Sequence, residues 1–460
     1  MERDCIPGFD LVNAMSQVSP ARRIAYGILK AIENGKGHSD DLLRGKNITA
    51  LSESDRHLTT ALVLGVLRWQ IDLDHRIRPL LKHPNAKVDV EVLIALRLGA
   101  FQLLHMDRIP THAAIDESVE LTKHAGHKFA SGMVNAVLRK LAVSRAPLGV
   151  EATEIDCCRQ GFPAWMIERW QSHYGVETSR EICRHGQSQP GVTVRLIADD
   201  AEAELIAHGI HLSPGQLLTA ARDVISGDVM VTAAFRKGRV RLQDEGSQLV
   251  AELAPRGSTI LDCCAAPGGK TLILAERNPD AKIVACESSP QRMAQLRERL
   301  AELGDRVQCR LADASTLEDI SVYDVVLVDV PCSGTGTLGR NPEIRHRLQP
   351  ADLPRQAERQ RNILRAAIRS VRKGGHVLYS TCSLELEENE EVVDAALAET
   401  HDARVISLEM RIEELREQGV IAASGASRLL QCILPHGALR LLPGILHTDG
   451  FFVTLIEKIA

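Results

Sequence analysis

At 460 residues, 44% of them hydrophobic and with a formal net charge of −5 at pH 7, the chain is too long for one core and should form two to four domains. A start with Glu2, Arg3, Asp4 and Asp10 but no apolar core, no stretch of about 18 uncharged apolar residues, and eleven cysteines without C-x-x-C pairs argue against a secreted, membrane-spanning or zinc-finger protein. The expectation is a cytoplasmic monomer with reduced thiols, no membrane partner and no metal.

Segment 19–145 reads as helical throughout. Ser19 and Pro20 give a capping residue followed by proline at the first helical position, with Ile24, Ile28, Leu29 and Ile32 on one face. A second helix starts near Ser54 and carries Leu58, Leu62, Val63, Val66 and Leu67, and a third runs from about Val88 through Leu96 and Leu103. Pro110 ends it, Thr111 caps a fourth through Ile115 and Val119, and residues 133–141 supply a fifth. This is an all-α bundle with no catalytic constellation of its own. Docking of RNA or protein and plain scaffolding both stay open.

Segment 150–245 changes pattern. Pro163 opens a helix with Trp165, Ile167 and Trp170, and short β-rich runs follow at 192–196, 228–231 and 239–242, a small α+β module. From 247 to 460, strands and helices alternate, which predicts an α/β domain with a mostly parallel sheet covered on both faces. Strands are predicted at 259–261, 283–286, 307–311, 323–329 and 376–380, then at 403–407, 439–442 and 451–456. Helices at 289–303 and 354–371 fill two of the gaps.

Ligands of such sheets bind outside the carboxyl ends of the strands. The turn Asp262-Cys263-Cys264-Ala265-Ala266-Pro267-Gly268-Gly269-Lys270 follows the first strand and leads into a helix. Its two glycines let backbone approach a ligand, and a helix N-terminus offers free N–H groups. A phosphate loop would need glycine where Cys264 stands, and the dinucleotide glycine pattern is absent. Acids then recur at successive strand ends: Glu287, Asp313 and Asp329. A lone strand-end acid is usually a helix cap. Three in order suit ribose hydroxyls and an adenine amino group, which points to S-adenosyl-L-methionine rather than NAD.

Two thiols also sit just past predicted strands, Cys332 in Asp329-Val330-Pro331-Cys332 and Cys382 in Ser380-Thr381-Cys382. A thiol is nucleophilic at modest pKa and can leave again, which suits attack on a pyrimidine ring. The residues alone leave open which of the two attacks. Cys263, Cys286 and Cys309 read as small buried apolar residues, and Cys5, Cys157-Cys158, Cys183 and Cys432 carry no motif. Charge is unevenly spread: 20–143 holds 18 Lys/Arg against 13 Asp/Glu, 340–373 holds ten against three, and 383–420 holds three against twelve. The basic run 340–373 offers phosphate ligands near the site, or else its arginines, Arg355 and Arg359 among them, are solvated helix faces or salt-bridge partners.

At these motifs the chain closely resembles the bacterial 16S ribosomal-RNA cytosine-C5 methyltransferases of the Sun/RsmB type. The matching residues are Cys264–Lys270, the stretch Asp329-Val330-Pro331-Cys332-Ser333-Gly334-Thr335-Gly336, and Tyr379-Ser380-Thr381-Cys382-Ser383. Residues 243–249, the Glu388-Asn389-Glu390 run and Asp449-Gly450-Phe451-Phe452 look like family features too. Residues 110–117 and 134–140 make 19–145 resemble a NusB-like, RNA-binding domain. The resemblance implies a Rossmann-like class I methyltransferase domain over 247–460. It implies S-adenosyl-L-methionine binding by Cys264, Ala265, Ala266, Pro267, Gly268, Gly269, Lys270, Glu287, Asp313 and Asp329, although aspartate is commoner where Glu287 stands. It assigns Cys382 as the nucleophile and Cys332 to product release; in the mechanism expected from these residues, Asp329 also hydrogen-bonds the ring edge near nitrogen 3. The implied substrate is a single-stranded or loop cytosine of 16S ribosomal RNA. A transfer RNA or another ribosomal site is the alternative. An RNA-binding protein with a vestigial methyltransferase fold is disfavoured by the intact thiol pair and turn.

Overall fold

The computed structural model describes residues 18–143 and 161–459; the start of the chain with Cys5, and Cys157-Cys158, lie outside them. The chain forms two compact units, Met1–Ser188 with Leu338–Arg347, and Gln189–Thr337 with Leu348–Ala460. Helices Ala164–Tyr174 and Val176–Gln187 thus group with the helical bundle, and the small sheet groups with the α/β domain.

The first unit is built on the helices Pro20–Glu33, Glu53–Ile77, Val90–His105, Thr111–His124 and Ser131–Val143. Their apolar stripes meet in one core containing Leu29, Leu62, Leu96, Val134 and Leu138, as the helical spacing requires. Local details differ from expectation. Ser19 takes the N-cap position with Pro20 after it, as expected, but its side chain does not bond the helix: its N–H and hydroxyl donate to Glu117 at 2.8 and 2.7 Å, where Arg22 also pairs at 2.9 Å. Pro110 occupies the cap position and Thr111 begins the helix. The five- and four-residue helices Ser39–Leu43 and Lys46–Thr49 are too short to show a period.

Leu338–Arg347 belong to this unit, which corrects the phosphate-ligand reading at two arginines. Arg345 is 1% exposed; it donates to the carbonyls of Gly161, Gly186 and Leu338 at 2.9, 2.9 and 3.1 Å and lies 4.2 Å over the Phe162 ring. Burial lowers its pKa to about 9. Arg347 donates to the carbonyls of Ile32 and Gly37. Both guanidiniums are committed to backbone oxygen.

The second unit opens with an antiparallel sheet of β1 (Val192–Leu196), β2 (His211–Pro214), β3 (Ala221–Ser226) and β4 (Val240–Leu242), in the order β2-β3-β1-β4. The predicted strand at 228–231 is instead a 3₁₀ turn, Val229–Val231, because the Asp228 carboxylate accepts from the Met230 N–H at 2.9 Å and closes the turn. β2 and β3 are half-buried without clean alternation, so no period of two marks them.

The main sheet follows, with β5 (Thr259–Asp262), β6 (Lys282–Glu287), β7 (Val307–Leu311), β8 (Tyr323–Asp329), β9 (Val371–Thr381), β10 (Ala403–Ile406), β11 (Leu439–Leu441) and β12 (Phe451–Lys458). The order is β10-β12-β9-β8-β5-β6-β7, with β11 beside β12. β9, β8, β5, β6 and β7 run parallel, whereas β12 is antiparallel to β9. β8 is apolar along its length because both faces are covered. Val325 and Leu327 join a core with Leu249 and Leu253 on one side. Val326 and Val328 join Ile363, Leu364 and Ala367 of helix Asp352–Ser370 on the other. Parallel strands all finish at one edge of the sheet, and the candidate site lies there.

Candidate active site

The turn after β5 is pinned to its neighbours. The Cys263 N–H donates to Leu327 at 2.9 Å and the Ala265 N–H to Cys286 at 2.8 Å, with a cis Ala266–Pro267 bond between turn and helix. Gly268 caps helix Gly269–Arg277 at φ +99°, a left-handed conformation, and a Cβ there would come within 3.1 Å of Leu296. Beneath the turn, Asp262 is 1% exposed; one oxygen accepts from the Thr271 hydroxyl at 2.7 Å and the other has no hydrogen-bond partner among the described residues. Burial raises its carboxyl to about 6.

The predicted strand-end acids stand at or just past the strand ends, and Asp313 also caps a 3₁₀ turn. Glu287 ends β6, accepts from the Ser289 N–H at 2.8 Å and pairs with Arg292 at 3.3 Å. Asp313, just past β7, accepts from the N–H and hydroxyl of Ser315 at 2.9 and 2.8 Å, bonds that hold its carboxyl below the usual range. It lines a cavity with Ala312, Thr316 and Leu317. Asp329 ends β8, its two oxygens fixed by Lys270 at 2.7 Å and the Ser380 hydroxyl at 2.7 Å. Burial alone would lower the Lys270 pKa, but Asp329 outweighs it and raises it, so Lys270 is a cation.

Both thiols meet at this edge. Cys332 Sγ lies 3.4 Å from Cys382 Sγ, and both residues are half-buried. Their loops are laced together: the Val330 N–H donates to Ser380 at 3.0 Å, the Gly336 N–H to Cys382 at 2.9 Å, and the Gly450 N–H to Gly336 at 2.8 Å. A Cβ at Gly336 would fall 2.5 Å from the Gly450 oxygen and 2.8 Å from that of Cys382, so only glycine fits. The hydrogen bond to Cys382, then burial, then the Glu388 charge raise the Cys332 thiol well above its ordinary range. Of the other cysteines, Cys263 and Cys286 are buried as expected and Cys183 is buried too, whereas Cys309, expected buried, is half-buried on β7, the edge strand of the sheet.

Sequence reasoning noted the Glu388-Asn389 pair but gave it no role. Glu388 is fully buried and bonded to Ser333 and Ser383, the residues that follow the two thiols. Asn389 accepts from the Thr381 hydroxyl at 2.5 Å and donates to the Ser383 carbonyl at 3.0 Å. The family resemblance marked this run, but its residues alone read as part of an acidic stretch, which resembles a solvated surface.

A parallel sheet with a glycine turn after its first strand and acids at successive strand ends defines a Rossmann-like methyltransferase domain. Residues 250–457 match the family described as 16S rRNA methyltransferase RsmB/F, and residues 19–143 match the NusB family. The chain is 34% identical over 458 residues to the "Probable ribosomal RNA small subunit methyltransferase B" of Bacillus subtilis, covering 95% of this chain and 98% of that protein. It is 34% identical over 403 residues to the ribosomal RNA small subunit methyltransferase B of Pseudomonas putida, covering 84% and 91%. Two solved structures share the fold. PH0851 has a TM-score of 0.76 at 23% identity, over 96% of this chain and 99% of that one. NSun6 from Pyrococcus horikoshii with SFG has 0.53 at 19%, over 65% and 99%. The chain belongs to the ribosomal RNA small subunit methyltransferase B family of S-adenosylmethionine-dependent RNA methyltransferases. The residues present fit that cofactor: a left-handed glycine opening a helix after the first strand of the main sheet, and acids at or just past the ends of the next three. Among the described residues no helix is long and apolar enough to cross a membrane.

Proposed function

We propose that this protein methylates carbon 5 of an unpaired cytosine in 16S ribosomal RNA through a covalent bond to Cys382. The observation that supports this best is the pair of thiols 3.4 Å apart, beside a carboxylate anchored by Lys270 and Ser380. Carbon 5 of cytosine is a weak nucleophile. Addition of the Cys382 thiolate to carbon 6 shifts the ring electrons and makes carbon 5 enamine-like. Asp329, oriented on both oxygens, hydrogen-bonds the ring edge near nitrogen 3. When bound, S-adenosyl-L-methionine supplies an electrophilic methyl group, and the turn Cys264–Lys270 with Glu287, Asp313 and Asp329 would hold it.

Carbon 5 then bears its new methyl and its original hydrogen. In the adduct Cys382 is a thioether and no longer sets a negative charge against Cys332. Cys332, its own proton first passed to water, accepts the carbon-5 proton as a thiolate. The electrons of that C–H bond restore the ring double bond and expel Cys382 Sγ. A general base of this kind contributes roughly 10²–10⁴-fold.

The test is a pair of variants incubated with 16S RNA and S-adenosylmethionine. Cys382→Ala should form no RNA adduct stable to denaturation, and Cys332→Ala should accumulate one, with bisulfite sequencing locating the methylated cytosine. The opposite pattern would transfer the nucleophile to Cys332. We assign RNA docking to the first unit as well. Its stretch 121–143 contains no Asp or Glu, and Lys128, Phe129, Arg139 and Lys140 are exposed there, which suits phosphate contact and base stacking.

A further inference from the structure

We propose that Glu388 is a positioning residue that clamps the two thiol loops together and sets the spacing of Cys332 and Cys382; this rests on reading both thiols as reacting groups. Glu388 is 0% exposed, and its carboxylate gathers four donors. They are the Ser333 N–H at 2.8 Å, the Ser333 hydroxyl, the Ser383 hydroxyl at 2.5 Å and the Gln360 amide at 2.9 Å. Ser333 and Ser383 each follow a thiol in sequence. One carboxylate therefore bridges the loop after β8 and the loop after β9. Gln360 also donates to the Pro331 carbonyl at 3.0 Å, which holds the other side of Cys332. The Tyr379 hydroxyl donates to the Glu388 carbonyl at 2.7 Å and fixes the clamp's own backbone.

The choice of an acid carries information. Every donor to this carboxylate is neutral, and burial raises its pKa, so holding a charge here is costly to the fold. A glutamine has the same length and could reach the same loops. What the acid adds is a negative charge beside Cys332, where it favours the thiol over the thiolate. The clamp thus has two separable effects: a spacing effect, from its bonds to both loops, and a field effect, from its charge on one thiol.

Both effects can be read on the full chain without RNA. Oxidised glutathione converts the two thiols to a disulfide while it is reduced to two glutathione molecules, and the rate reports their proximity. Iodoacetamide alkylation of Cys332 across pH, followed by peptide mass mapping, reports its thiolate fraction. Glu388→Ala should slow disulfide formation at least about tenfold, with S-adenosylhomocysteine affinity within about twofold of the parent as the control for an intact fold. Glu388→Gln should keep the disulfide rate near the parent's and move the alkylation midpoint to lower pH. If Glu388→Ala fails to bind S-adenosylhomocysteine, Glu388→Asp, one methylene shorter, replaces it with the same expected slowing. A parent-like disulfide rate in Glu388→Ala, or a parent-like alkylation midpoint in Glu388→Gln, would overturn the proposal. Failure of the parent chain to form an RNA adduct would instead overturn the functional reading and leave these thiol measurements standing.

Discussion

Asp262 holds an unusual position for a carboxyl, fully buried under the cofactor turn with one oxygen lacking a hydrogen-bond partner among the described residues. Its carboxyl rises from 3.8 to about 6 on folding, chiefly through burial. The folded state therefore binds this proton more tightly than the unfolded chain does. The resulting stability is fully present below pH 3.8 and is lost as pH rises through about 6. At about 1.4 kcal/mol per pKa unit, the loss is on the order of 3 kcal/mol. Asp262→Asn removes the titration, so urea unfolding should show the variant gaining on the parent between pH 4 and pH 6. A difference that stays the same at both ends would show that burial does not set this pKa. At this scale the sequence revealed chemistry better than partners. The thiols, the turn and the strand-end acids all lie at positions fixed by strand ends, so local pattern located them. Glu388 bonds to Ser333, 55 positions away, and no local pattern encodes that separation.

Elements were legible where burial imposed a period. The parallel strands β5, β6, β8 and β9 read clearly because both faces are covered, giving apolar runs such as Val325-Val326-Leu327-Val328. β2 and β3 did not, since half-exposed strands lack that contrast. Arg345 was misread for a related reason: a guanidinium sheltered by backbone carbonyls is spelled the same as one waiting for phosphate. The loops that carry the thiols are ordered by backbone, not by side-chain bulk. Gly336 is sandwiched between the carbonyls of Gly450 and Cys382, and neither can recede without breaking a loop-to-loop hydrogen bond. Gly336→Ala should destabilise the protein by about 1–3 kcal/mol, the usual range for overpacking. It should also cut RNA-adduct formation more than the loss of stability explains. Thermal unfolding and adduct yield measured at a temperature where the variant is still folded would check both, and a variant with parent-like melting would show that the contact is slack.

For the whole molecule, net charge is a poor guide to its partner. The overall −5 conceals an acidic surplus over 383–420 in the second unit and an acid-free stretch over 121–143 in the first. A polyanion responds to local surfaces, and each phosphate contact releases a counterion. Single-stranded RNA binding should therefore weaken as salt rises, with log affinity falling by roughly 0.7 per contact for each unit of log salt. If Lys128, Arg139 and Lys140 each meet a phosphate, the slope is about −2. Lys128→Glu should flatten it by nearly one contact and weaken all RNA sequences alike. S-adenosylhomocysteine affinity should not change, because the site proposed for it is built from residues of the other unit. Phe129→Ala should lower affinity without altering the slope, since stacking releases no counterion. Fluorescence anisotropy of a labelled 16S fragment across a salt series separates the two effects. A slope near zero in the parent chain would remove the helical unit from RNA docking, because no arrangement of lysines on phosphates is indifferent to salt.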